Sequence, residues 1–174
     1  LGDCHRAVVK SSSTIIASNQ IARDCAAAAA RHLGLVVRNN DETLYGDVYD
    51  LAKKIGPLLA QAEPGVYIWG GEPTIVLPEN PGRGGRNQSL ALALSEYIGR
   101  RDDITLLVAG TDGTDGPTVA AGGIVDATTF ASAKDAHAAL MRADAGTYLE
   151  QQGALFVTGP TNTNVMDLAI ALVD

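Results

Sequence analysis

Cysteine is scarce in this sequence, which contains only Cys4 and Cys25 among its 174 residues. Two cysteines exclude a disulfide framework and a zinc site built from cysteines. Cys25 falls in an alanine-rich run, which predicts a small buried hydrophobic residue. The sequence shows no signal-peptide pattern and no apolar run of about 18 residues or more. We therefore expect a soluble, cytoplasmic protein without membrane contact.

Basic residues are also few, since 13 lysines and arginines face 20 aspartates and glutamates, for a net charge of −7. This balance excludes a general nucleic-acid binder. A hydrophobic content of 46% in 174 residues is enough for one domain with a sizeable core, so residues 1–174 are predicted to form a single domain. The chain begins with Leu1 in place of methionine, which suggests a piece of a longer protein.

Apolar periodicity and turn residues predict an α/β fold. The expected architecture is a three-layer α/β/α domain with a mixed sheet of about six to eight strands. Residues 39–46 are predicted to be turn-like, and 70–73 to form a hairpin-like return between two strands. The predicted strands are 8–9, 14–17, 35–37, 66–69, 74–77, 104–109 and 155–157, together with 167–173, for which a short helix is the alternative. The predicted helices are 20–33, 48–62, 87–99, 128–140 and 145–152.

Glycine-rich polar segments follow several predicted strands, and four of them stand out: 70–72, 82–88, 110–117 and 158–164. Ligand sites in open α/β sheets gather at the carboxyl ends of strands. These four segments are therefore expected to line one cleft.

The segment 82–88 places Arg83 and Arg86 among three glycines, directly before a predicted helix. Backbone N–H groups at a helix N-terminus favour anions, and guanidinium groups suit carboxylate or phosphate. The segment is not a Walker A motif, and it matches the dinucleotide fingerprint poorly because Asn87 takes the third glycine position. The alternative is a surface turn with two solvated arginines.

Acidic residues occupy two of the other segments. Asp112 and Asp115 lie three apart on a glycine loop, where paired carboxylates can hold Mg²⁺ or accept a proton from a hydroxyl group. Alternatively, both are turn residues that bond their own backbone. Glu72 could be an acid, a metal ligand or an exposed turn residue. Segment 158–164 offers hydroxyl and amide groups to a polar substrate or phosphate, although such runs are usually plain loops.

Four motifs together resemble one protein family, in its order and roughly at its spacing. They are Gly-Gly-Glu-Pro-Thr at 70–74, Gly-Gly-Arg-Asn-Gln at 84–88, Gly-Thr-Asp-Gly-Thr-Asp-Gly-Pro at 110–117 and Gly-Pro-Thr-Asn-Thr-Asn-Val at 159–165. The chain resembles the C-terminal (MOFRL) domain of class II glycerate 2-kinases, whose members often carry the name hydroxypyruvate reductase. The resemblance is strong over residues 63–174, and residues 12–62 resemble the segment that precedes this domain.

This resemblance implies the C-terminal half of a two-domain enzyme whose active site lies in the cleft between the domains. The implied reaction is the ATP-dependent phosphorylation of D-glycerate to 2-phosphoglycerate, with Mg²⁺. In the family, the N-terminal domain supplies a catalytic lysine and further acidic residues, and this chain has no counterpart of that domain. The isolated chain is therefore expected to be inactive. The expected partners are glycerate, ATP, the N-terminal domain of the same protein and a second copy in a homodimer.

The family motifs also imply site residues. Arg86 would contact the glycerate carboxylate or the transferred phosphoryl group, and Asp112 and Asp115 would bind the metal or orient the hydroxyl group, so these three are the predicted catalytic residues. Pro73 replaces a small hydroxyl residue of the family, and Asn162 replaces a common glycine. The predicted substrate- and phosphate-binding residues are Gly70, Gly71, Glu72, Gly84, Gly85, Asn87, Thr111, Gly113, Thr158, Thr161 and Asn164.

Two other functions compete with the kinase. One is an NAD(P)H-dependent hydroxypyruvate reductase, which the sequence disfavours because no dinucleotide fingerprint is followed by an acidic residue about 20 positions later. The other is a regulatory or assembly module in which the glycine segments are only turns. Clustering of the four segments at one edge of the sheet, with Arg86 and Asp112 facing a common cleft, would favour an active site.

Overall fold

The structure is a computed structural model that describes residues 11–174, and the strand predicted at 8–9 lies outside this range. The helices are α1 (Asn19–His32), α2 (Val48–Ala60), α3 (Arg86–Ile98), α4 (Ala133–Met141) and α5 (Ala145–Gln151). The strands are β1 (Val37–Asp47), β2 (Gly65–Thr74), β3 (Ile104–Gly110), β4 (Gly122–Val125), β5 (Leu155–Phe156) and β6 (Asp167–Val173).

The strands form one six-stranded sheet in the order β1-β2-β6-β3-β4-β5. The β1–β2 pair is parallel and is connected through α2, while the other neighbours are antiparallel. The predicted mixed sheet is therefore confirmed. The central strand β6 pairs with β2 on one side and with β3 on the other.

Helices pack on both faces of the sheet, which gives the three predicted layers. On one face, Ala27 and Ala30 of α1 pack against Val66 and Ile68 of β2. The main core lies on the other face, where α2, α3, α4 and α5 cover alternate residues of the strands. This core contains Leu90, Leu92 and Leu94 of α3 together with Leu106 and Val108 of β3, among others. Helix α3 is thereby fixed at the centre of the molecule.

The predicted turn at 39–46 is wrong, because these residues form most of β1. Strand β1 pairs only with β2 and lies at the edge of the sheet, so it can remain polar on its exposed positions. Its one buried side chain is Leu44. The period-2 pattern that reveals a half-buried strand is therefore absent from this segment.

The predicted hairpin at 70–73 is also wrong, because β2 continues without a turn from Gly65 to Thr74. Both glycines are needed inside this strand. A Cβ on Gly70 would lie 1.9 Å from Asn19 Oδ1, and a Cβ on Gly71 would lie 2.7 Å from the carbonyl oxygen of Leu44. Pro73 is tolerated because pairing with β6 ends at Gly71, which leaves β2 with a neighbour on one side only.

Local predictions near the N-terminus of the described region have mixed outcomes. The helix predicted at 20–33 is confirmed as α1, and Ser18 caps it by accepting a hydrogen bond from the Ile21 N–H. The strand predicted at 14–17 is absent, and Cys25 is exposed rather than buried. The helix predicted from 128 begins only at Ala133, after a capping Ser132. Within residues 11–174, no helix is long and apolar enough to cross a membrane.

Candidate functional site: the cleft at the N-terminus of helix α3

The segment before α3 is fixed to the turn between α4 and α5. The Gly82 N–H donates to the carbonyl oxygen of Arg142, and the Arg83 N–H donates to Asp144 Oδ1 at 2.9 Å. The side chain of Arg83 forms an ion pair with Glu150 of α5. Both the backbone and the side chain of Arg83 therefore bond to other residues of the domain, so Arg83 is not simply a solvated arginine.

Asp115 caps helix α3 from a different part of the chain. Its Oδ1 accepts a hydrogen bond from the Asn87 N–H at 3.1 Å, and its Oδ2 accepts one from the Gln88 N–H at 2.8 Å. Gly85 occupies the N-cap position and cannot supply a capping side chain. A carboxylate from the loop after β3 thus satisfies N–H groups that the helix leaves free.

Burial is the largest influence on the pKa of two carboxyl groups beside the start of α3, those of Asp115 and Asp167. Desolvation raises the pKa of Asp115 to about 6, although the N–H groups of Gln88 and Asn87 act in the opposite direction. Desolvation also raises the pKa of Asp167, against the lowering effects of Asn87 and Arg86. Both side chains are almost completely buried. The cleft therefore has two carboxyl groups that hold their protons more tightly than exposed ones.

Arg86, the first residue of α3, lies between two carboxylates. Its Nε donates to Asp167 Oδ2 at 2.8 Å, and one terminal nitrogen lies 3.3 Å from Glu72 Oε1. Burial alone would lower the pKa of Arg86, but Asp167 and Glu72 raise it. About a third of the side chain, 34%, remains exposed. The guanidinium group is therefore both oriented by the protein and accessible.

A cleft of about 310 Å³ opens beside Arg86. The segments 82–88 and 110–117 and the end of segment 158–164 meet there. Its lining residues are Ile75, Leu77, Gly84, Gly85, Arg86, Asn87, Ser89, Asp112, Thr114, Asp115, Gly116, Pro117, Ala143, Asn164 and Asp167. Arg86 and Asp112 thus line the same cleft, whereas segment 70–72, which was also expected to line it, contributes none of its lining residues.

Contacts between two loops shape one wall of this cleft. A Cβ on Gly113 would lie 2.1 Å from the carbonyl oxygen of Gly159, and Gly113 has a φ of 89°. The Thr161 hydroxyl donates to the carbonyl oxygen of Thr111, and the Thr158 hydroxyl donates to that of Gly159. The Thr161 hydroxyl thus joins the two loops, whereas the Thr158 hydroxyl bonds within its own loop. Asn162 adopts a φ of 59°, the left-handed conformation that a glycine would favour.

The predicted site residues have different places in the structure. Gly84, Gly85, Arg86, Asn87, Asp112, Asp115 and Asn164 line the cleft. Gly70 and Gly71 lie inside β2 and touch Asn19 and Leu44, so their role in the structure is close packing. Glu72 reaches the site through Arg86, while the remaining predicted residues, Thr111, Gly113, Thr158 and Thr161, take part in the loop contacts around it.

Two residues of the site were missed by sequence reasoning. Asp167 is the first residue of an otherwise apolar strand. An acidic residue at such a position is a sequence signal for a paired or functional carboxylate, because acidic residues are seldom buried without a partner. Ser89 follows Arg86 by three residues, a spacing that places both on one side of a helix. Within residues 11–174, the buried atoms Ser89 Oγ and Asn87 Oδ1 have no hydrogen-bond partner. Both residues line the cleft and could bond to a ligand.

A complete metal site is not formed by the described residues, which contain no group of three histidine, cysteine, aspartate or glutamate side chains suited to a metal ion. Both oxygens of Asp115 already accept backbone hydrogen bonds. Asp112 lines the cleft while its Oδ1 accepts from the backbone and hydroxyl groups of Thr114. Asp112 is therefore the better placed of the two predicted metal ligands.

These features define an α/β domain whose polar cleft contains an oriented and accessible arginine, a group suited to anionic ligands. Comparison with known protein families then gives a particular assignment. Residues 65–167 match the MOFRL family, and the chain belongs to it. The family resemblance inferred from the four motifs is confirmed.

Relatives with known names support the same assignment. A glycerate 2-kinase from Pyrococcus horikoshii is 39% identical over 173 residues, which cover 91% of this chain and 39% of that protein. A protein from Agrobacterium vitis that carries the name of a hydroxypyruvate reductase is 33% identical, with the same two coverages. The crystal structure of a glycerate kinase from Thermotoga maritima superposes with a TM-score of 0.84 at 34% identity, and covers 90% of this chain and 41% of that one. The chain thus spans about two fifths of the length of these relatives.

Proposed function

We propose that this chain is the C-terminal domain of an ATP-dependent glycerate 2-kinase that converts D-glycerate to 2-phosphoglycerate. The observation that carries the proposal is Arg86, an oriented and accessible guanidinium group at the mouth of a polar cleft. The 39% identity to the glycerate 2-kinase of P. horikoshii supports the choice of reaction. In the proposed enzyme, the cleft forms one side of an active site that a second domain completes.

Arg86 suits the charges of this reaction. D-Glycerate carries a carboxylate, and phosphoryl transfer spreads negative charge over the oxygens of the transferred group. A guanidinium group that is already fixed by Asp167 needs little reorganisation to stabilise either charge. Ser89 Oγ and Asn87 Oδ1 are available for polar contacts with the substrate.

ATP and Mg²⁺ belong to the proposed reaction. Mg²⁺ in phosphotransferases is usually held by one or two carboxylates together with substrate phosphates, and it neutralises charge on the phosphates. Asp112 would supply one such carboxylate from this chain. Asp115 would act on α3 rather than on the metal, because both of its oxygens are bonded to the helix.

A chimeric enzyme tests the proposal. The matching region of the P. horikoshii glycerate 2-kinase is replaced by this chain, and ADP release is measured with D-glycerate and Mg²⁺. We expect activity in the chimera, and a loss of about 10³-fold in kcat/KM for R86Q because an arginine that stabilises the transferred group contributes at least that much. The matched control is R83Q, whose side chain pairs with Glu150 and which should retain activity close to that of the parent chimera.

The same chimera also distinguishes the kinase from the two competing functions. Oxidation of NADH with hydroxypyruvate, without ADP release from glycerate, would favour the reductase. A folded chimera that is inactive in both assays would favour an assembly module. We expect the isolated chain to show no kinase activity, since it would supply only one side of the site; turnover comparable to that of a full-length kinase would contradict this.

A further inference from the structure

We infer that Asn19 is a positioning residue for the cleft, which acts through the backbone of residues 165–167 to hold Asp167 under Arg86. Asn19 lies on α1, on the face of the sheet opposite to α3. The inference rests on the proposed function only where activity is measured, because the geometry at Arg86 can be observed without substrate.

The first link is a pair of hydrogen bonds across the sequence. Asn19 Nδ2 donates to the carbonyl oxygen of Val165 at 2.9 Å and to that of Asp167 at 3.1 Å. Asn19 is only 3% exposed. One amide group therefore holds the two peptide carbonyls on either side of Met166.

The second link is the backbone conformation that this amide encloses. Met166 has a φ of 69°, a left-handed conformation that is unfavourable for a residue with a long side chain. Its carbonyl oxygen accepts hydrogen bonds from the N–H of Thr111 at 3.0 Å and from the Thr111 hydroxyl at 2.7 Å. Thr111 Oγ1 also accepts from the Val165 N–H at 2.9 Å. Such a conformation persists where its surroundings hold it from several sides.

The third link is the consequence for the cleft. Asp167 follows Met166 directly, and its Oδ2 accepts the 2.8 Å hydrogen bond from Arg86 Nε. If the backbone at Met166 relaxed towards a negative φ, the Asp167 carboxylate would leave this position. Arg86 would then lose the partner that fixes its plane, and would retain mainly the longer contact with Glu72.

Asn19 is itself held with a defined amide orientation. Arg23 Nε donates to Asn19 Oδ1 at 3.0 Å, which leaves the amide NH₂ group for the two carbonyls. Arg23 is anchored in turn by Asn40 and Glu42 of β1. Gly70 of β2 provides the space, because any larger residue there would collide with Asn19. Contacts from α1 and β2 therefore fix the position of this amide.

The variant N19D tests the inference, because it keeps an acceptor for Arg23 but replaces the donor that binds the two carbonyls. The matched control is N39D, since Asn39 Nδ2 also donates to a backbone carbonyl, that of Ile68 at 2.8 Å, with no connection to residues 165–167. The readout is the Nε–Hε signal of Arg86 in nitrogen-edited NMR spectra of the labelled chain, identified by its loss in R86K.

We expect a distinct, slowly exchanging Nε–Hε signal in the native chain and in N39D. In N19D the signal should move to the position of solvated arginines and exchange at least about tenfold faster, as expected for a lost hydrogen bond to a charged partner. In the chimeric kinase, N19D should lower kcat by about tenfold to a hundredfold, as expected for a misplaced catalytic group. An unchanged Arg86 signal in folded N19D would overturn the inference, even if the chimera were inactive for other reasons.

A second substitution distinguishes positioning from a general loss of stability. Glycine adopts a positive φ without the cost that methionine bears, so M166G should restore the Arg86 signal in the double variant N19D/M166G. A folded double variant without this recovery would contradict the inference. If N19D and the double variant both fail to fold, Asn19 is a purely structural residue and the inference is wrong.

Discussion

Asp115 offers the sharpest prediction, because two opposing effects act on one carboxyl group. Two backbone N–H groups and the positive end of α3 favour its ionised form. Almost complete burial and the nearby Asp167 favour its protonated form. A pKa of about 6 against an ordinary value of 3.8 means that burial prevails. The perturbation that exposes this balance is D115N, which removes the charge while preserving the shape.

The expected effect is a dependence of stability on pH. A carboxyl group whose pKa is raised in the folded state stabilises that state fully below its unfolded pKa, and the contribution is lost as pH rises through the folded value. For Asp115 this loss falls between about pH 4 and about pH 6. It amounts to about 3 kcal/mol, because each pKa unit corresponds to about 1.4 kcal/mol.

Urea unfolding followed by circular dichroism measures this effect at a series of pH values. At each pH, the free energy of unfolding of the native chain is subtracted from that of D115N. Most contributions from other carboxylates cancel in this difference. As pH rises from about 4 to about 7.5, this difference should shift by about 3 kcal/mol in favour of D115N. The absolute difference also includes an altered helix cap, so the change with pH is the informative quantity.

A control with the opposite sign is available at Asp126. Hydrogen bonding by the Thr128 hydroxyl lowers the pKa of Asp126 despite some burial. The native chain should therefore gain stability relative to D126N as pH rises through the acidic range. A D115N difference that is independent of pH, or that moves in the same direction as that of D126N, would show that the helix cap outweighs burial and would refute the reasoning.

Two further predictions concern packing. G70A should destabilise the fold by about 1–3 kcal/mol or more in chemical denaturation, because its Cβ would lie 1.9 Å from Asn19 Oδ1. The control is G99A, whose Cβ would have its nearest neighbour at 3.5 Å and which should change stability by less than about 0.5 kcal/mol. L94A should lower the free energy of unfolding by about 2–5 kcal/mol, because Leu94 is fully buried in α3. The control is L58A, because Leu58 is 62% exposed. Equal losses of stability for the two variants would show that α3 is not at the centre of the core.

Much of the fold could be predicted because its buried elements carry strong patterns. The run 104–109 is apolar enough for burial on both faces and forms β3, and Ser18 and Gly34 bound a helix close to the predicted limits. The elements that were missed have weaker local signals. Strand β1 is polar because it lies at an edge, and Gly70–Gly71 resembles a turn although close packing against α1 and β1 is what requires glycine there.

Many residues of the candidate site could be predicted from the sequence, but the role of each residue could be predicted only in part. The motifs identified Arg86, Asp112 and Asn164, which the fold brings to one cleft. The role of Asp115 depends on which N–H groups approach it, and those belong to a helix that begins 29 residues earlier in the sequence. Likewise, the link from Asn19 to Asp167 joins residues 148 positions apart. Such relations follow from the sheet order, which no local pattern encodes.

The position of β6 has a consequence for how the protein is made. Strand β6 comes after every other strand in the sequence, yet it lies at the centre of the sheet between β2 and β3. During synthesis on a ribosome, the β1–β2 pair and the β3–β4–β5 group can form first, but they share no strand pairing until β6 has emerged. Closing contacts across so long a stretch of chain is slow. The same strand begins with Asp167, so the step that completes the sheet also brings the Asp167 carboxylate to Arg86.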